Sequence, residues 1–221
     1  MTSDLYAIYE RLLDAFGPQN WWPGETPLEV MVGAVLVQNT NWKNVERAID
    51  NLREADLISL EALNEIDHEE LAELVRSAGY YRLKAKRLKN LIDYVVEQHD
   101  ASLDAMFAMD IDSLREGLLS VKGIGPETAD SIVLYAAQKP TFVVDNYTAR
   151  VWKRHGWVEY EADYYALKEY FEGSLERDTQ LFNEYHALIV RVGKEYCGKT
   201  PKCDECPLVE FLPESGVQEE F

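Results

Sequence analysis

An all-α fold is what this sequence predicts. Three observations carry it. Apolar residues recur at helical spacing along most of the chain, capping residues stand ahead of those runs, and no two alternating runs joined by a tight turn suggest paired strands. The one β-like stretch, Phe142-Val143-Val144, is short and sits between Pro140 and Asp145, so it reads as an extended linker between helical layers.

The helices follow in order. Thr26-Pro27-Leu28-Glu29 reads as N-cap, proline at the first helical position and capping-box glutamate, opening a helix that is apolar through Val37. Asp67-His68-Glu69-Glu70 offers a second capping box ahead of Leu71, Leu74 and Val75. Asp112 is placed to cap a helix carrying Leu114, Leu118 and Leu119, and Gly125-Pro126 starts one with Ala129, Ile132, Val133 and Ala136 on one face. Asn146 to Arg154 is a further helix, stopped at His155-Gly156. Asp178 caps a long one with Leu181, Phe182, Tyr185, Leu188, Ile189 and Val192 at helical spacing. The polar tail from Pro213 is expected to fray.

Composition sets the bounds. The 221 residues are 47% hydrophobic and include 13 Tyr and 5 Trp, enough for a well-packed core in one large domain or two small ones. Val30 to Val37 is among the longest apolar runs and falls far short of a membrane span. The start, MTSDLYAIYERLL, has no basic segment followed by an apolar stretch, so no signal peptide is expected. The expectation is an intracellular, cytoplasmic protein without a membrane partner. Three cysteines, an odd count, do not suggest a disulfide framework.

The net charge is −18, which taken alone argues against a nucleic-acid partner. The distribution weakens that objection. Arg82, Lys84, Lys86, Arg87 and Lys89 form one basic cluster, Arg150, Lys153 and Arg154 a second, and Arg191, Lys194, Lys199 and Lys202 a third. Such a bipolar surface can hold DNA locally while the global charge keeps the protein soluble. The first cluster by itself reads as an ordinary solvated helix face.

Two adjacent features carry chemistry. In Val121-Lys122-Gly123-Ile124-Gly125-Pro126 the glycines allow a tight turn whose backbone N–H groups can hold an anion, with Ile124 anchoring the turn inside. Gly-x-Gly alone would also suit a plain helix–helix turn. Asp145 follows the apolar run Phe142-Val143-Val144 and precedes a helix, which suits an N-cap. The same position would desolvate the carboxylate while the helix start keeps it ionised, as needed to stabilise a cationic sugar or orient a water.

From about Trp21 to Tyr147 the chain resembles the endonuclease III group of the helix-hairpin-helix (HhH-GPD) DNA glycosylase superfamily. The segments VGAVLVQNTNWKNV, LVRSAGYYRLKAKRLKNL, LLSVKGIGPETAD and FVVDNYTAR carry the resemblance, in that order. It implies a six-helix domain over residues 28–138 that holds the hairpin. A second helical domain would form from residues 1–27 and 139–221, with damaged double-stranded DNA in a cleft between the two. It implies Asp145 as the catalytic residue, Lys122, Gly123, Ile124 and Gly125 as DNA contacts, and Gln38 as the side chain filling the space of a flipped base. It also implies a monomer.

Two departures refine this. Lyase-competent members carry lysine just after the hairpin; here Glu127 stands there, and a carboxylate cannot form an imine. The expectation is therefore a monofunctional glycosylase without AP-lyase activity. The family often ends in four cysteines spaced C-x6-C-x2-C-x5-C around a [4Fe–4S] cluster. Here Cys197, Cys203 and Cys206 are spaced C-x5-C-x2-C, and Leu212 stands at the fourth place. Either a variant cluster with an outside ligand or a loop that has lost its cluster fits that pattern.

Trp21-Trp22-Pro23 and Gln38-Asn39-Thr40-x-Trp42, together with Glu127, are similar to the 3-methyladenine DNA glycosylase III branch. That likeness implies Trp22 and Trp42 as plates on either side of the flipped base, with Trp21 and Glu127 nearby. A methylated purine is cationic, and a cation over an indole face gains roughly 0.5–2 kcal/mol. The expected activity is excision of alkylated purines such as 3-methyladenine. Removal of oxidised pyrimidines or mismatched thymine, and a non-catalytic helix-hairpin-helix DNA-binding module, are the alternatives.

Overall fold

The computed structural model describes residues 4–218, and among them every regular element is helical. The α-helices are α1 (Leu5–Phe16), α2 (Pro27–Leu36), α3 (Trp42–Glu54), α4 (Leu60–Glu65), α5 (His68–Leu74) and α6 (Tyr81–Gln98). After them come α7 (Leu103–Phe107), α8 (Ile111–Ser120), α9 (Pro126–Ser131), α10 (Asn146–Arg154), α11 (Tyr164–Glu172) and α12 (Thr179–Glu195). The chain divides into two compact units, Trp22–Lys139 and Met1–Trp21 with Pro140–Phe221.

In the Trp22–Lys139 unit α2 is the central rod. Every residue from Leu28 to Leu36 is buried, and α3, α6 and α9 pack against it. A helix apolar on all sides has to be enclosed on all sides. Thr26 caps it by accepting from the Glu29 N–H at 3.2 Å. Glu29 does not close a reciprocal box with Thr26. Its carboxylate accepts from the Glu25 N–H and, though buried, is paired with Arg53 at 2.6 Å. The cap of α8 is Asp110, which accepts from the Ser113 N–H at 2.9 Å, and Asp112 lies in the first turn instead. After α9 the helix widens into a π turn over Ile132–Ala136, where the sequence pattern had suggested an uninterrupted helix. Such turns shift the side-chain register by one residue and recur at functional sites.

In the other unit α12 packs on α1 and α10. Phe142 stacks on Phe171 with ring centroids 3.8 Å apart, and Trp152, Phe182 and Tyr185 close around them. The extended run 142–144 is therefore core, held at its start by Glu172, which accepts from the Phe142 N–H at 2.7 Å. The tail does not fray over its described part. The Gln218 N–H donates to the Arg154 carbonyl at 2.9 Å, and the Gln218 side chain covers Gly156.

Candidate active site

The hairpin is built as its glycines suggest. The Ile124 N–H donates to Val121 at 3.0 Å, and Ile124 is buried beneath the turn. Gly123 has φ +101°, and a Cβ there would lie 2.4 Å from Cγ of Arg87, so only glycine suits both the backbone and the space. The carbonyls of Lys122 and Gly123 accept from Asn90 at 2.8 Å and Gln38 at 3.2 Å. With those acceptors occupied, the exposed Lys122–Gly123 edge can face an anion. Arg115 on α8 forks onto buried Asp130 on α9 at 2.8 and 3.1 Å and clamps the two helices that the hairpin joins.

Gln38 is tied to this hairpin. Besides Gly123 it donates to Thr128 Oγ1 at 2.9 Å, and its own Oε1 accepts from Arg87. Arg87 thus touches both Gln38 and Gly123, a role the sequence reading missed.

The cluster around Arg87 is only in part a solvated face: Arg82 and Lys86 are exposed, and the others turn inward. Lys84 is buried and donates to the carbonyls of Leu36 and Ala78, and burial, aided by the Arg87 charge, pushes its ammonium down to about 8. Lys89 donates to three carbonyls, and Arg82 pairs with Glu69. A helical period cannot show this, because the acceptors come from other segments.

The aromatic residues sort as follows. Gly33 of α2 leaves room for two indoles: a Cβ there would meet Trp42 at 3.2 Å and Trp22 at 3.4 Å. Trp22 and Trp42 are not the parallel plates expected. Their rings meet edge to face, 5.0 Å apart at 87°. Tyr135, in the π turn, joins them at 4.9 Å from Trp22. It was missed because its run reads as core. Trp21 belongs to the other unit and lies 5.8 Å from the Lys194 ammonium. Glu127 is exposed in the first turn of α9, at the hairpin's end.

Asp145 is both an N-cap and a mostly buried acid. Its Oδ1 accepts from the Thr148 N–H at 2.8 Å and Thr148 Oγ1 at 3.0 Å. His186 of α12 brings Nε2 to 3.6 Å from Oδ2. Burial pushes the carboxyl up, but His186 and the Thr148 donors together outweigh it and hold the group below its ordinary range. The side chain is therefore an anion in a mostly dry setting.

Cys197, Cys203 and Cys206 line one small cavity with His155 and Leu212. Burial pushes the Cys203 and Cys206 thiols up, and Arg154 stands 3.3 Å from the Cys197 sulfur. Leu212 offers no donor at the fourth place. Among the described residues no group of three or more His, Cys, Asp or Glu is arranged to hold a metal. With Leu212 at the fourth place, the loop supplies three thiols, one fewer than the four cysteines that commonly hold a [4Fe–4S] cluster. Among the described residues no helix is long and apolar enough to cross a membrane.

An all-helical fold with a glycine hairpin and a mostly buried aspartate at a helix start is what the resemblance to a class of DNA repair enzymes implied, and comparison with known proteins shows that class. Residues 32–177 match the family described as HhH-GPD superfamily base excision DNA repair protein. A "putative DNA repair glycosylase" of Methanocaldococcus jannaschii is 50% identical over 94% of each chain. Endonuclease III of Thermotoga maritima is 30% identical over 87% of each. The Helicobacter pylori 3-methyladenine DNA glycosylase, solved with 1,N6-ethenoadenine, superposes with a TM-score of 0.75 at 32% identity. It covers 87% of this chain and 98% of its own. An endonuclease III–DNA complex shares the fold with a TM-score of 0.83 at 21% identity, over 97% of this chain and 96% of that one. The chain belongs to the HhH-GPD superfamily, and it is a DNA glycosylase of base excision repair.

Proposed function

We propose that this glycosylase removes alkylated purines, 3-methyladenine first, and leaves the strand intact. The aromatic set of Trp22, Trp42 and Tyr135 on Gly33 carries the substrate reading. It supplies π surface, which favours a cationic base over a neutral one. The likeness to the Helicobacter pylori 3-methyladenine enzyme supports the same class. Because the two indoles are perpendicular, the base stacks on one ring face, or Trp42 turns to make a second plate.

In this reading Lys122 and the hairpin amides hold a phosphate. Gln38 fills the gap left by the flipped nucleotide, which requires its bonds to Gly123, Thr128 and Arg87 to open. Asp145 stabilises the oxocarbenium-like sugar as the base leaves, or guides water to C1′. A methylated purine is already a good leaving group, so a strong general acid is not required. Glu127 offers no amine at the place where the bifunctional relatives carry theirs, so the abasic product remains whole. The three-cysteine loop stands on packing and on Arg154 rather than on a cluster.

A panel of duplexes bearing methylated purines, oxidised pyrimidines, or a T·G mismatch tests the substrate. Release of 3-methyladenine ahead of the others is expected, and preference for a pyrimidine would overturn it. Borohydride trapping on abasic DNA is expected to give no covalent adduct. Anaerobically purified protein is expected to show no visible iron–sulfur absorbance.

A further inference from the structure

We infer that His186 is the positioning residue that aims the second oxygen of Asp145. The inference rests on Asp145 being the catalytic carboxylate.

On α12, Phe182, Tyr185 and Ile189 are buried at helical spacing, and His186 among them is only 4% exposed. An imidazole is costly in that place unless it meets a polar partner. The charged atom facing it is Oδ2 of Asp145, 3.6 Å from Nε2, within ion-pair reach though longer than a hydrogen bond. Oδ1 is already fixed at the helix start by two Thr148 donors. A carboxylate held only by Oδ1 keeps a broad freedom about its last torsion, and Oδ2 would sweep an arc. His186 removes that freedom, which leaves Oδ2 as the oxygen directed at the reacting sugar or water.

The packing of α12 is arranged for this contact. Gly193, two turns beyond His186, lies against Tyr147: a Cβ there would come within 2.7 Å of that ring. Arg150 of α10 donates to the Gly193 carbonyl at 2.9 Å. This close approach of α12 to α10 brings an imidazole, rather than a longer side chain, within reach of Asp145. His186 acts through Asp145 and is not itself a catalytic residue.

The test uses His186→Leu, His186→Gln and Asp145→Asn in the full chain. Single-turnover base release is measured on the best lesion duplex from the panel, and Kd on a duplex with a tetrahydrofuran abasic analogue. His186→Leu is expected to slow release about tenfold or more with Kd unchanged, because misaimed groups cost rate rather than binding. His186→Gln places an amide donor near the old Nε2 and is expected to recover the rate to within about threefold of wild type. A wild-type rate in His186→Leu, with Asp145→Asn inactive, would overturn the inference alone. So would equal losses of rate, affinity and Tm in the Leu and Gln variants, since that is a folding role. Retained base release in Asp145→Asn would overturn the parent reading and the inference with it.

Discussion

The hairpin and the Asp145 cradle are built in opposite ways. The hairpin is mainly backbone: its turn, its positive φ and its buried isoleucine all lie between Val121 and Gly125. The cradle is mainly side chains, and His186 comes from a helix far along the chain. A backbone device tolerates change in its neighbours but little change in itself. A side-chain device depends on every element that supplies a partner. Substitutions in the first are expected to change binding, and substitutions in the second to change the chemical step.

The largest expected effect breaks the cradle. Asp145→Asn keeps the size and the Thr148 acceptor but loses the charge, and should slow base release by about a hundredfold or more, with Kd for abasic duplex little changed. Equal losses of rate and affinity would erase the contrast. On the hairpin side, Asp130→Ala removes the carboxylate onto which Arg115 forks, and urea unfolding should show a loss of about 1–3 kcal/mol. Gly123→Val adds a side chain at φ +101° against Arg87, and should weaken duplex binding about tenfold while the chemical step, measured at saturating enzyme, stays near wild type. Lys122→Ala removes one exposed cation and should weaken binding only a few-fold, independent of sequence.

The smallest effect concerns Lys84, beneath the end of α2. Its folded value of about 8 lies below the ordinary 10.5. Between those values the unfolded chain binds more protons, so this group makes stability rise with pH across that window. Lys84→Met should flatten the rise between pH 8 and 10, measured by urea unfolding.

The same contrast explains what the sequence could show. The hairpin, the caps at Thr26, Asp67 and Asp178, and the aspartate ahead of α10 are local patterns, and all are visible in the order of residues. Asp110 displaced Asp112 as a cap because two acids stood within one turn and only the structure selects between them. His186 and Tyr135 sit at apolar positions of helical runs and read as core. Arg87 and Lys84 read as solvent-facing because their acceptors, the Gln38 side chain for one and the Leu36 and Ala78 carbonyls for the other, lie in other segments. The perpendicular tryptophans depend on the room above Gly33, which no spacing records.

The inward use of the basic residues has a further consequence. A cation already bonded to carbonyls, as Lys84, Lys89, Arg150 and Arg154 are, is not available to displace the ions condensed on a phosphate chain. Counterion release then falls to the exposed groups, such as Lys43, Lys86, Lys122, Lys194, Lys199 and Lys202. Each neutralised phosphate steepens the decline of log K with log salt by about 0.9, so each cation turned inward makes the slope shallower. The salt slope of this enzyme should therefore be shallower than its 22 basic residues alone would give.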